Sequence, residues 1–166
     1  MQILKKMLNW DSFFTAEAGA SASLAGLIFV SVSININRII SLPRLPERAI
    51  EALVVLFMVL VVSLLFLVPG QSQLEIGLEV LIVGLVGWST NTRLGVNNYR
   101  KTSKEYRQQY AGVELLDQLS LILYIVAGVT ILTVNENGIY ILVPATILSF
   151  IKSMVDAWVL LVEIMR

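Results

Sequence analysis

The chain has 166 residues, of which 57% are hydrophobic and 14% charged, with a mean hydropathy of +0.80. Soluble domains carry about 25% charged residues, so this composition indicates a membrane protein with the lipid bilayer as its surroundings. Basic and acidic residues balance at 12 each, which gives no support for a nucleic-acid partner.

The chain contains no Cys and no His. Their absence removes disulfides, thiolate nucleophiles, imidazole bases and the usual ligand sets for zinc, haem and iron–sulfur clusters. We therefore expect no cofactor and no metal site.

Five apolar segments cover most of the chain, and about 20 apolar residues at a rise of about 1.5 Å each span a hydrocarbon core of about 30 Å. The segments are residues 15–37, 50–68, 74–89, 112–134 and 139–162. They predict one all-α domain over residues 1–166, a polytopic bundle of five transmembrane helices. Little of the chain remains for a soluble domain, so we expect its function to be built from helices that meet inside the membrane.

The N-terminal residues 1–11 place apolar side chains at helical spacing opposite polar ones. This pattern predicts either an interfacial helix anchored by Trp10 or a helical extension of the first span. The apolar run begins only after Glu17 and is too long for the apolar region of a cleavable signal peptide, so we expect no cleavage.

The first span is built almost entirely from small residues between Ala16 and Gly26. At 100° per residue, two sets of side chains fall on opposite sides of this helix. The first set, which we call the small stripe, is Gly19, Ser23, Gly26, Val30, Ser33 and Asn37. The second set, which we call the glutamate stripe, is Glu17, Ser21, Leu24, Ile28, Ser31 and Asn35. We expect one stripe to face the helix's own bundle and the other a symmetry axis between copies.

Two hypotheses explain the stripes. In the first, small residues simply allow close helix contact, with Ser and Asn bonding across helices at about 0.6 to 2 kcal/mol each. In the second, the first span lines a pore in a homo-oligomer, with Asn35 and Asn37 at the inner mouth and Glu17 near the outer one. Only the second hypothesis implies conduction.

Several short segments predict helix ends. Pro43 and Pro46 break the helix after the first span, and Glu47 favours a new helix start. The pair Pro69-Gly70 ends the second span, and residues 135–138 have a tight-turn composition. The segment 91–110 combines basic residues with tyrosines and is interpreted as a cytoplasmic loop, with binding to anionic lipid headgroups as the alternative.

Ionisable residues recur in the last two spans. Glu114 and Asp117 lie at the start of the fourth span, while Lys152 and Asp156 are four residues apart on the fifth. A charge at the depth of Lys152 costs at least about 2.5 kcal/mol unless it is paired, so Asp117 or Asp156 is the expected partner. One hypothesis is a structural ion pair, and the other is a proton or ion relay. The residues around Asp117 and Asp156 match no intramembrane protease motif, and no nucleotide-binding or hydrolase motif occurs. We expect no enzyme.

Basic residues predict the orientation, because they concentrate in cytoplasmic loops. Two lie on one side of the spans, Lys5 and Lys6. Nine lie on the other: Arg38, Arg44, Arg48, Arg93, Arg100, Lys101, Lys104, Arg107 and Arg166. This asymmetry places the N-terminus outside and the C-terminus in the cytoplasm.

Residues 13–14, 19–35, 45–49 and 68–71 carry a resemblance. The chain resembles a group of small bacterial multi-spanning proteins described as hypothetical membrane proteins. The resemblance implies a bacterial inner membrane and no particular activity. We expect a homo-oligomer that acts as a small ion channel or pore lined by the first span. The alternative is a regulatory or scaffold subunit that binds another membrane protein through that span.

Overall fold

The computed structural model describes the backbone of residues 2–41, 45–101, 107–133 and 136–165. Its helices are α1 (Gln2–Ile34), α2 (Ile36–Ser41), α3 (Leu45–Phe66), α4 (Gln73–Lys101), α5 (Arg107–Thr133) and α6 (Ile139–Met165), with a 3₁₀ turn at Glu136–Gly138. Throughout those ranges the chain forms no strand.

Five of these helices contain a segment long and apolar enough to cross a membrane. The segments are Trp10–Ile34, Leu45–Phe66, Gln73–Tyr99, Glu114–Thr133 and Ile139–Leu160. The predicted all-α fold is confirmed, and the protein is a multi-pass helical membrane protein.

The observed boundaries of the third span differ from the predicted ones. Helix α4 continues to Lys101 and α5 begins at Arg107, so the prediction of a loop across residues 91–110 is wrong except for residues 102–106, which lie outside the described residues. Polar residues such as Asn91 and Asn98 are typical of loops, yet both are buried within α4. They are tolerated there because each bonds to a carboxylate on a neighbouring helix.

The N-terminal residues from Gln2 onward belong to the same helix as the first span, which corresponds to the predicted extension. Trp10 lies against aromatic rings of the bundle, with ring centroids 5.5 Å from Phe13 and 5.1 Å from Tyr140. At the other end, α1 stops at Ile34, where the Asn35 side chain donates to the Ser31 carbonyl at 3.0 Å.

The connection between α3 and α4 follows the predicted turn chemistry. Gly70 has a φ of +82°, a conformation that glycine adopts without steric cost. Ser72 then caps α4, since its backbone N–H donates to the Glu75 carboxylate at 2.7 Å and the Glu75 N–H donates to the Ser72 hydroxyl.

Helix α3 packs against α1, α4 and α6, while α4 pairs extensively with α5 and α5 with α6. The α4–α5 pair is especially close: a Cβ at Gly128 would lie 2.7 Å from the backbone nitrogen of Leu81. Helix α1 packs mainly on α3 and only slightly on α6, so it lies at the edge of the bundle. We call the end of the bundle that carries Arg38, Arg48 and Arg93 the basic end.

Candidate functional site

The glutamate stripe of α1 faces the bundle. Glu17, Ser21 and Ile28 are buried, while Leu24, Ser31 and Asn35 are half-buried. The Ser63 hydroxyl on α3 lies 3.0 Å from Glu17 Oε2 and 2.8 Å from the Val59 carbonyl oxygen. This stripe therefore attaches α1 to the rest of the bundle.

The small stripe faces away from the bundle. All six of its residues are exposed, and a Cβ built at Gly19 or Gly26 would meet no atom within 4 Å. The Ser23 hydroxyl donates to the Gly19 carbonyl at 2.7 Å, and the Ser33 hydroxyl donates to the Phe29 carbonyl at 2.8 Å. In the part of the chain that the structure describes, this stripe is therefore exposed along its whole length.

The ionisable residues of α5 and α6 meet inside the bundle. The Lys152 ammonium lies 2.7 Å from Asp156 Oδ2 and 3.6 Å from Asp117 Oδ1. It also lies 3.9 Å from Glu51 Oε2 on α3, and all four side chains are buried. We call these four residues, together with Arg48, the charge cluster. Lys152 is eight residues before Leu160 and so lies about 12 Å from the basic end of its span, whereas Asp117 is three residues, about 4.5 Å, from the start of its span at Glu114.

Two helices, α3 and α4, supply further partners to the carboxylates. Asn91 on α4 donates to Asp117 Oδ2 at 2.7 Å, and Asn98 donates to Glu51 Oε1 at 2.7 Å. Arg48 on α3 approaches Asp156, with its Nε 4.0 Å from Oδ1. Lys152 is thus surrounded by carboxylates that have additional donors of their own.

Sequence reasoning named Asp117, Lys152 and Asp156 but missed Glu51, Asn91 and Asn98. The second span is predicted to begin at residue 50, which places Glu51 at the end of that span. In the structure α3 begins at Leu45, so Glu51 lies more than one turn inside the helix. The spacing of Asn91 and Asn98 was an available signal, since residues seven apart lie on one face of a helix.

A polar group borders the cluster between α4 and α5. Trp88 Nε1 donates to Gln118 Oε1 at 2.8 Å, and Gln118 Nε2 donates to Glu114 at 3.2 Å. The carboxylate of Glu114 lies against Gly95, where a Cβ would collide with it. The Glu114 side chain on α5 therefore packs against α4 and does not pair with Lys152.

The arrangement limits the chemistry that the cluster can perform. Asp117 and Asp156 both bind the Lys152 ammonium, whereas an aspartyl protease dyad needs two carboxyls that share a proton and a water. No group of three or more acidic side chains among the described residues is placed to hold a metal ion. The geometry fits an ion-pair network with an excess of carboxylates.

Neither a protein-family model, a curated protein sequence nor a solved structure matches this chain. Functional inference therefore starts from the two stripes and the charge cluster.

Proposed function

We propose that the protein is a homo-oligomer of the bacterial inner membrane in which the small stripes of neighbouring copies face a common axis and line a small channel. The observation that carries this proposal is the exposure of the whole small stripe, with open space at Gly19 and Gly26.

The physical reason for assembly lies in how membrane helices associate. Lipid provides no hydrophobic driving force between helices, so close van der Waals packing decides which surfaces join. A helix face of glycine and serine gives lipid chains little to pack against but lets a second backbone approach closely. The small stripe therefore favours another protein helix over lipid.

The reason for conduction is the distribution of polar groups along the same face. Ser23 and Ser33 lie along the span and Asn37 lies just beyond it on α2, and a ring of copies would turn each into a ring of hydroxyls or amides. Val30 lies between the two serines, and the Val30 side chains of neighbouring copies would together form a hydrophobic constriction. This arrangement is typical of a narrow pore that gates by dewetting.

Gly26→Leu tests assembly. Because the change raises hydrophobicity, insertion is retained while the larger side chain separates the helices. We expect a smaller particle by native mass analysis. Gly112→Leu is the matched control, because Gly112 on α5 is also open and its variant keeps the parent size. Equal sizes for all three proteins would contradict the proposed interface.

Asn37→Ala tests conduction. In liposomes, we expect ion flux through the parent protein, a changed flux through Asn37→Ala and no flux through Gly26→Leu. If Gly26→Leu reduces the particle size but parent liposomes stay tight, the stripe assembles without conducting. A regulatory or scaffold role then replaces the channel, and a membrane-protein partner that co-purifies with the parent and not with Gly26→Leu would identify it.

The proposed orientation places the N-terminus outside and the basic end in the cytoplasm. A reporter fused after residue 166 is expected to behave as cytoplasmic. A cysteine at Asn137, which is exposed between α5 and α6, is expected to react with impermeant reagents from outside. An exported reporter would reverse the orientation.

A further inference from the structure

The charge cluster holds more negative than positive charge. Its carboxyls are Glu51, Asp117 and Asp156, and its cations are Lys152 and Arg48. With every group ionised, three negative charges face two positive ones, so the cluster carries one unbalanced negative charge among the side chains that the structure describes. Glu114 adds to the negative field from α5 but is partly exposed and bonded to Gln118.

An unbalanced charge at this depth is costly. The Glu51, Asp117 and Asp156 side chains are each at most 4% exposed. Buried charges are tolerated only when they are paired, and a group without a partner gains a proton instead of remaining charged. Among the described side chains, the neighbours from α4 are the amides of Asn91 and Asn98, which donate hydrogen bonds to the carboxyls.

We propose that the charge cluster binds one exchangeable proton, which is carried by either Glu51 or Asp117. This site is independent of the channel, because it lies inside each subunit and includes no residue of the small stripe. Its ligand is a proton rather than a metal ion, since the carboxylates converge on an ammonium group.

The distances assign the proton to that pair. Asp156 is 2.7 Å from Lys152 and 4.0 Å from Arg48, so both cations stabilise its ionised form. Asp117 and Glu51 are farther from Lys152, at 3.6 and 3.9 Å, and each relies on one amide donor for its other oxygen. The proton therefore resides on one of these two carboxyls and leaves Asp156 ionised.

A second observation comes from Asn91. Its Oδ1 is buried without a hydrogen-bond donor among the described side chains. A protonated Asp117 can accept from Asn91 Nδ2 on one oxygen and still donate from the other, so the protonated carboxyl, unlike a carboxylate, has a donor to offer the Asn91 amide oxygen. The unused acceptor is accounted for when Asp117 carries the proton.

The side of the cluster nearest to water is the basic end. Arg48 is its least buried member, with a side chain 17% exposed, and it contacts Asp156 directly. Glu47 lies on the same helix, half-buried, with its Oε1 bonded to Asn97 at 2.6 Å. Under the proposed orientation, the cluster exchanges its proton with the cytoplasm.

Infrared spectroscopy of the full-length protein in nanodiscs tests this proposal, because a protonated carboxyl absorbs separately from a carboxylate. The parent is expected to show a protonated-carboxyl band at neutral pH that disappears as the pH is raised. Either Glu51→Gln or Asp117→Asn brings the cluster to neutrality, so each variant alone should remove the cluster's entire share of the band. Glu47→Gln is the control outside the cluster and leaves the band unchanged.

Lys152→Met reverses the sign of the effect. Removing the cation raises the unbalanced charge from one to two, so the cluster's share of the band should roughly double. Glu17, which is buried and has no ion pair among the described residues, is measured separately by Glu17→Gln. If Lys152→Met does not fold, the two amide variants decide the proposal.

Two results would overturn the proposal. One is a band that neither Glu51→Gln nor Asp117→Asn reduces. The other is the absence of the band from the parent at neutral pH. The thermal stability of the parent is then compared in sodium chloride and in N-methylglucamine chloride, and a dependence on sodium chloride alone identifies what replaces the proton. In that case, an alkali cation balances the cluster.

Discussion

The hydroxyls of Ser23 and Ser33 bond to carbonyl oxygens of their own helix, whereas the amides of Asn91 and Asn98 reach carboxylates on two other helices. Both regions are polar and both lie within membrane spans. Among the described residues, the hydroxyls of the small stripe bond only within α1, while the charge cluster and its amide partners join α3, α4, α5 and α6. Substitutions in the stripe should therefore change assembly, and substitutions in the cluster should change the stability of each subunit.

The largest effect is expected from Lys152→Ala. Removing the ammonium leaves buried carboxylates without their shared cation, and breaking a buried ion pair by removing one partner costs on the order of 3 kcal/mol. Chemical unfolding followed by tryptophan fluorescence measures this loss.

The matched control is Lys152→Met combined with Asp156→Asn. The double variant removes a cation together with its nearest carboxylate and should recover much of the lost stability. A single variant as stable as the parent would mean that Lys152 reaches water and has no buried partner.

An intermediate effect is expected from Asn91→Ala. Its amide donates to a buried carboxyl, and leaving a buried acceptor without its partner costs about 1 to 3 kcal/mol. Asn97→Ala is the control on the same helix, because Asn97 is exposed and its bond to Glu47 lies near the surface. Equal losses of unfolding free energy for the two variants would contradict the account of the cluster.

The smallest effect on subunit stability is expected from Ser23→Ala and Ser33→Ala. Both side chains are exposed and bond only to their own helix, so each change should stay within about 0.5 kcal/mol. Measurement in detergent that holds the protein as single subunits isolates this term. A loss above about 1 kcal/mol would show that the stripe packs within the subunit.

The bundle could be predicted from the sequence because a membrane span is recognised from its length and hydropathy alone. The pairing of Lys152 could also be predicted from the sequence, since an uncompensated charge at that depth requires a partner. The sequence could not predict which stripe of α1 faces the bundle, because both stripes contain small and polar residues. The stripes are distinguished by tertiary packing, such as that of Glu17 beside Ser63.

The extension of α4 could not be read from the residues alone. Asn91 and Asn98 are typical of loops when considered in isolation, and they become acceptable helix residues only because carboxylates on α3 and α5 receive their amides. Tertiary hydrogen bonds overrode the local preference, and the same bonds revealed Glu51 as a member of the cluster.

Disulfide cross-linking in native membranes tests the central claim most directly. The chain has no cysteine, so a single cysteine at Ser23 reports contact between copies without background. We expect oxidation of Ser23→Cys to yield covalent dimers, and oxidation of Val86→Cys, on an exposed face of α4, to yield almost none. Equal yields from the two positions, or no dimer from Ser23→Cys, would contradict an assembly in which the small stripes of neighbouring copies meet.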